Sequence, residues 1–275
     1  MEIYKELAKF KHIKYYDEPH KYYIGEQELT SGTSYLGRFK SAFDSKKMAF
    51  GTAKKTNRSV EAVLEEWDYK RDFSAMKGTF LHNFAENYWQ NKVFPYNNRI
   101  PEERFAGDGA MNLKERYEEC VRMFKQFYEE ASVNLIPIAS ELVIGDPLLP
   151  IYNKKGEVES YGVAGMVDGL FWNDKSQEYQ IWDYKTNGKI RFNSDYKKRF
   201  SFPITFIEEC EYETYSLQLN LYKYIIEKNT DIKIGKCYLV WIHEENETYQ
   251  VIECKDYQDV IELMFKQPET NGKKK

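Results

Sequence analysis

The chain has 275 residues, a formal net charge of −4, and 23 Tyr and 17 Phe among charges of both signs. That length suits one large domain with a substantial core, and the composition excludes a disordered chain. No apolar run approaches the ~20 residues of a membrane span, and the strongly basic balance that would announce a nucleic-acid partner is missing.

Met1 to Phe10 carries two Glu and no apolar stretch of the signal-peptide kind, so an intracellular, cytoplasmic location is expected. Ile13 to Tyr16 and Tyr22 to Ile24 read as a β-hairpin turned by Gly25. Helices are expected within Leu36 to Arg58, then from Ser59 to Trp67, with Ser59 as N-cap and Val60, Val63 and Leu64 on one face. Another helix is expected from Ser74 to Trp89, where Phe80, Phe84 and Tyr88 form one row and Leu81, Ala85 and Trp89 the next. A further helix covers Asn112 to Ala131. Ile136 to Ile144, Gly162 to Trp172 and Tyr179 to Tyr184 then read as strands, with Asn173-Asp174-Lys175-Ser176 turning between the last two. A helix from Glu213 to Lys228, strands Lys236 to His243 and Thr248 to Cys254, and a helix from Tyr257 to Lys266 complete the pattern. The tail Gly272 to Lys275 is expected to fray. The pattern predicts a mixed α/β domain with a central sheet flanked by helices. We expect a single domain over 1–275: an N-terminal hairpin and helical extension (1–75), a core (76–254), and a C-terminal helix and tail (255–275).

The cysteines Cys120, Cys210, Cys237 and Cys254 include no C-x-x-C pair, which argues against a zinc ribbon or a cluster with close cysteine spacing and for reduced thiols. No Gly-x-x-x-x-Gly-Lys-Ser/Thr is present.

The chemistry concentrates on one strand pair. Asp168 ends the run Val163 to Val167, and Asp183-Tyr184-Lys185 ends the run Ile181-Trp182. Alternation along a strand turns Asp183 and Lys185 to one face, and hairpin pairing would lay Asp168 beside them. Two adjacent carboxylates ionise together only with a cation between them. Oxygen ligands of this kind suit magnesium or manganese, and a nearby ammonium can stabilise charge on a phosphate. Acid-x-Lys tripeptides are common in this chain. Only Asp183-Tyr184-Lys185 follows a hydrophobic strand preceded by one ending Gly-Met-Val-Asp-Gly.

In four ordered motifs the sequence resembles the PD-(D/E)XK nuclease superfamily, and within it the RecB-like exonucleases. They are Gly78-Thr79-Phe80-Leu81-His82 with Glu86 following, Gly165-Met166-Val167-Asp168-Gly169, Trp182-Asp183-Tyr184-Lys185-Thr186, and Gln218-Leu219-Asn220-Leu221-Tyr222. The N-terminal hairpin also looks like the family's lead-in. The resemblance implies a restriction-endonuclease-like core and a Mg2+- (or Mn2+-) dependent deoxyribonuclease. His82, Asp168 and Asp183 would hold the metal, with the Tyr184 backbone carbonyl as a further ligand and Lys185 as the catalytic lysine. Gln218 and Tyr222 would support the lysine or touch DNA, and Glu141 would be a supporting or added ligand. Glu86, at i+4 from His82, would hold the imidazole. Some RecB-like relatives carry four cysteines for an iron–sulfur cluster; here the last three are scattered, which points to the branch without one.

Two stretches are locally basic: Leu36 to Arg58 has net charge +6 and Asp183 to Phe200 net +4. They offer Arg38, Lys40, Lys189, Arg191, Lys197, Lys198 and Arg199 to a DNA backbone. Nearby Tyr35, Phe39, Phe43, Phe192, Tyr196 and Phe200 could stack unpaired bases or be core. The expectation is an exonuclease acting on single-stranded or free DNA ends, bacterial or phage-encoded, alongside recombination or replication proteins. An endonuclease on the same core, and a DNA-binding module with a decayed site, stand as alternatives.

Overall fold

The computed structural model describes residues 2–92 and 113–266; the tail expected to fray lies outside them. Helix α1 (Glu2–Leu7) leads through a 3-10 turn into β1 (Lys14–Tyr16), β2 (Lys21–Ile24) and β3 (Gln27–Ser31). The predicted hairpin is therefore the first part of a three-stranded meander. Its second turn is carried by Gly25 at φ +58°, a left-handed conformation that costs glycine little.

Next come α2 (Gly32–Gly37), α3 (Ser45–Thr56) and α4 (Val60–Trp89). Ser59 caps α4 by accepting from the Ala62 N–H at 3.1 Å. The two helices expected between Ser59 and Trp89 are one helix of 30 residues. The polar stretch between them contains no Pro or Gly to break the helix. Its charges also pair along the helix face, Lys70 with Glu66 and Arg71 with Asp68, each at 2.5 Å. Helix α5 (Leu113–Ala131) follows.

Strands β4 (Leu135–Tyr152) and β5 (Val158–Asn173) form an antiparallel hairpin longer at its turn end than the sequence predicts. Pro147 and Pro150 read as breakers, but register shifts between Asp146 and Pro150 absorb them, as bulges do. Strand β6 (Glu178–Lys185), α6 (Glu211–Asn229), β7 (Ile234–Trp241), β8 (Gln250–Glu253) and α7 (Gln258–Phe265) complete the chain.

The eight strands form one mixed sheet in the order β1-β2-β3-β5-β6-β7-β8, with β4 on the other edge of β5. β3 runs parallel to β5, and β6 parallel to β7. Alternation sends Ile181 into a core beneath α6, while Trp182 and Tyr184 enter a second core against α4 and α5 with Leu81, Ala85, Trp89, Phe124 and Phe127. The predicted row Leu81, Ala85, Trp89 is thus the buried stripe of α4. The row Phe80, Phe84, Tyr88 packs sideways, with Phe80 stacked on Tyr117 of α5. Among the described residues no helix is long and apolar enough to cross a membrane. All four cysteines are buried and free of disulfides.

Candidate metal-binding active site

The site lies where two strands part. β6 pairs with β5 only from Asn173↔Glu178 to Gly169↔Trp182, while β3 joins the same edge of β5 at Val163 and Ala164. Between these contacts, Gly165 to Asp168 face a gap that no strand among the described residues fills. Asp168 turns into it, and its Oδ2 accepts the Tyr184 N–H at 2.9 Å. The carboxylate takes over a backbone donor that would otherwise be buried without a partner.

From α4, His82 reaches the same place. Its Nε2 lies 3.0 Å from the Tyr184 carbonyl. A carbonyl only accepts, so Nε2 carries the hydrogen, which turns Nδ1 to the acids. Nδ1 is 3.3 Å from Asp168 Oδ2 and 3.8 Å from Glu141 Oε1. Burial opposes charge on the imidazole, but Asp168, Glu141 and Asp183 outweigh it and hold the ring well above its usual range. Asp168 is likewise raised by burial, yet His82, Lys185 and the Tyr184 N–H bring it below the usual carboxylate range.

Glu141 joins through an unusual backbone. It lies within β4 at φ +47°, which a non-glycine residue adopts at a cost of ~1–3 kcal/mol. Register places it opposite Asp168, between Ser140↔Gly169 and Leu142↔Val167. Burial and the Asp168 charge raise its carboxyl, with His82 opposing. One donor atom each from His82, Glu141 and Asp168 lie within 4.8 Å of one another.

Asp183 and Lys185 share a face, as alternation requires. Burial raises Asp183 to about 6, with Lys185 opposing and Asp168 adding to the rise. Lys185 Nζ is 2.7 Å from Asp183 Oδ2 in a buried ion pair. For Lys185, burial favours the neutral amine, yet Asp183 and Asp168 raise its pKa and keep it an ammonium. The nitrogen-and-oxygen donor set of His82, Glu141 and Asp168, with the Asp183 carboxylate beside it, fits a divalent cation.

Glu86 accepts from Gln90 Nε2, while the imidazole meets the Tyr184 carbonyl. That carbonyl keeps a second lone pair for a further ligand role. Gln218 donates to the Tyr222 hydroxyl at 3.0 Å. The residue against Lys185 is Tyr215, whose ring centroid is 4.7 Å from Nζ. Sequence reasoning passed over it, although it lies at i−3 from Gln218 on the same helix, a spacing that shares a face.

Gly165 explains its place in the motif. A Cβ there would stand 2.3 Å from Cε1 of Tyr222, and one at Gly32 would stand 3.0 Å from the same carbon. The ring is thus clamped between two glycines. Gly165→Ala is expected to cost about 1–3 kcal/mol of stability through overpacking, read from the urea midpoint; an unchanged midpoint would show that the ring has room to move.

The basic residues divide. Arg38 is held by Glu159 and the Tyr152 carbonyl, and Arg191 by Glu211 and Asp195. Lys40, Lys189, Lys197, Lys198 and Arg199 have no ion pair among the described residues; Lys189 and Lys197 to Arg199 are exposed. Of the rings considered for stacking, Tyr35 and Phe200 are core. Phe39 packs against that core, and Phe43, Phe192 and Tyr196 are exposed.

A sequence profile of the PD-(D/E)XK nuclease superfamily matches residues 58–267. The match begins after the N-terminal meander that was read as the family's lead-in. Among solved structures, the chain is similar to a Eubacterium rectale protein provisionally named an exonuclease, with 15% identity and a TM-score of 0.40 over 69% of this chain. It spans 63% of that protein's length. It is also similar to SSO0001, with 15% identity and a TM-score of 0.28, over 74% of this chain and 85% of that one. No curated protein matches the sequence.

Proposed function

The chain belongs to the PD-(D/E)XK nuclease superfamily, and on that premise we propose that it is a magnesium- or manganese-dependent deoxyribonuclease that degrades DNA from single-stranded ends. The observation that carries this reading is the meeting of His82, Glu141 and Asp168 within 4.8 Å beside the Asp183–Lys185 pair. His82 Nδ1, Asp168 and Asp183 would hold the metal, with Glu141 as an added ligand and the Tyr184 carbonyl, which meets His82, as a further one. A cation bound there would neutralise phosphate charge and lower the pKa of a water molecule. Lys185 is an ammonium throughout the neutral range and faces the phosphate, where charge develops as water oxygen bonds to phosphorus and the P–O bond to the leaving sugar oxygen breaks. Tyr215 limits the lysine's rotamers from the opposite side.

The preference for ends rests on the connection from Lys185 to α6. This segment is tied down at Arg191 by Glu211, and the Ser194 N–H donates to Glu208 at 2.9 Å. It carries exposed Lys189, Lys197, Lys198 and Arg199 with exposed Phe192 and Tyr196. Phe192 packs against Tyr212 on one side and Lys198 lies over the Tyr196 ring, and cations interleaved with exposed rings suit a single strand better than a stacked duplex. The whole chain, 1–275, works as one domain, cytoplasmic and bacterial or phage-encoded, in recombination, repair or phage replication.

End-labelled linear single strands and closed single-stranded circles, digested with and without magnesium, test the reading. Linear strands are expected to disappear only with metal, and circles to survive. Equal digestion of both would decide for an endonuclease. Reversing Lys197, Lys198 and Arg199 to Glu together is expected to flatten the salt dependence of binding by about 2 in log–log slope, at ~0.7 per phosphate contact. An unchanged slope would return these residues to the solvated surface.

A further inference from the structure

A cavity of about 850 Å³ opens away from the metal-binding cluster, between the end of α2, the β4–β5 turn, residues 201–203 and the end of α7. Its size falls within the ~300–1,000 Å³ of small-molecule sites. Arg38, Phe39, Lys154, Lys155, Phe202 and Lys266 are among its walls.

Lysines stand at its rim on a held turn. Asn153 Oδ1 accepts from the N–H groups of Lys155 at 2.8 Å and Glu157 at 3.1 Å, and Gly156 takes φ +78°. This turn holds Lys154 and Lys155 at the rim, both exposed and without an ion pair among the described residues. Two carboxylates meet wall residues at short range: Glu159 is neutralised by Arg38, which also donates to the Tyr152 carbonyl at 3.1 Å, and Glu157 accepts from Asn153 Nδ2 at 2.9 Å. Lys266 has only a 3.9 Å contact with Glu262. Beside these cations Phe202 is 61% exposed, a large ring with one face free.

The cavity is continuous with the catalytic strand. The connection that leaves Lys185 has its Asn187 carbonyl held by Trp241 Nε1 at 2.6 Å. Further on, its Ser201 N–H donates to the Phe39 carbonyl at 2.7 Å. The same connection thus runs from the lysine's strand to the cavity wall. Along β5, Glu159 precedes Asp168 by nine positions, at most about 30 Å at ~3.3 Å per residue.

Free lysines beside an exposed ring suit phosphates and base faces. Asn153, the cavity's one amide side chain among the described residues, is consumed by its turn and by Glu157, so no side-chain amide is left to read base edges. We propose that this cavity is a sequence-independent subsite for single-stranded DNA, with phosphates on Lys154 and Lys155 and a base against Phe202. It holds the substrate at a distance from the bond being cleaved. The proposal rests on the nuclease reading above and extends it.

Fluorescence anisotropy with a labelled 12-nucleotide oligothymidylate in excess EDTA reads binding without cleavage. Lys154→Glu/Lys155→Glu is expected to weaken binding and flatten its salt slope by about 1.4, two contacts at ~0.7 each. Phe202→Ala is expected to weaken binding at least about fivefold, the low end of one lost base stack. Lys125→Glu/Lys233→Glu, on exposed positions elsewhere, controls for the change in net charge. The proposal is overturned if the Lys154/Lys155 variant binds as tightly as this control, or if a blunt duplex loses as much affinity as the oligothymidylate. Hydrolysis of bis(p-nitrophenyl) phosphate in manganese, a substrate too small to reach the cavity, reads the metal site alone. Its absence in the wild-type protein would undo the nuclease reading, while intact hydrolysis with unaltered oligonucleotide binding in the variants would undo only the subsite.

Discussion

Replacing Asp168 or Asp183 with asparagine is expected to lower magnesium-dependent cleavage by more than about a hundredfold, beyond the 10–100-fold that residues merely supporting a metal site cost. No neighbouring carboxylate on either strand can substitute: Val167 and Tyr184 flank the two acids with side chains buried in the core. Asparagine keeps an oxygen for the Tyr184 N–H that Asp168 accepts at 2.9 Å, so Asp168→Asn should fold. Asp168→Ala should cost a further ~1–3 kcal/mol by orphaning that buried donor. Thermal unfolding separates the roles. A metal that binds only the folded protein stabilises it by about 2.7 kcal/mol at a hundred times its Kd, and the asparagine variants should lose most of that gain. Because Asp183 is raised to about 6 and the neighbouring acids hold His82 well above its usual range, a metal must displace protons from both. The metal-induced stabilisation is therefore expected to shrink as pH falls, with Asp183 adding to the loss below about 6. Wild-type cleavage at an undiminished rate in excess chelator would remove the basis for all of this.

Lys185→Ala is expected to lower turnover by ~10²–10³, the cost of removing one preorganised group that stabilises developing charge. DNA affinity should change less than about threefold, since one ammonium is a small share of the phosphate contacts. The side chain is 15% exposed, with Asp183 Oδ2 at 2.7 Å on one side and the Tyr215 ring on the other. Arginine should not rescue it, because a planar guanidinium does not present the same point charge. Single-turnover rates beside binding isotherms make the measurement. Equal losses of binding and turnover would assign Lys185 to holding DNA rather than to chemistry.

The candidate site was legible in the sequence where its geometry is local. Asp183 and Lys185 fall on one face because strand alternation has period two, and Asp168 ends a strand that had to pair nearby. Gly165 was visible as part of a motif, but its reason was not: the Tyr222 ring that fills its space comes from a helix more than fifty positions on. The i+4 spacing of Glu86 from His82 states only that two side chains are neighbours. It does not reveal that the Tyr184 carbonyl, far along the chain, meets the imidazole.

By itself the sequence determined the types and order of the main elements, the two-faced character of β6 and the buried row of α4. Each of these follows from backbone periodicity and from which residues shun water. The continuity of α4 and the length of the β4–β5 hairpin were written in the same residues, in the i,i+3 and i,i+4 charge pairs and in prolines that bulges absorb. Tertiary structure alone decided the rest. The parting of β5 from β6 after Gly169↔Trp182 opens the gap for Asp168, and the left-handed turn at Glu141 brings a third carboxylate to His82. Packing also decided which basic side chains are already paired and which rings remain free. These are contacts between segments far apart in the chain, set by register, twist and burial, and no local period encodes them.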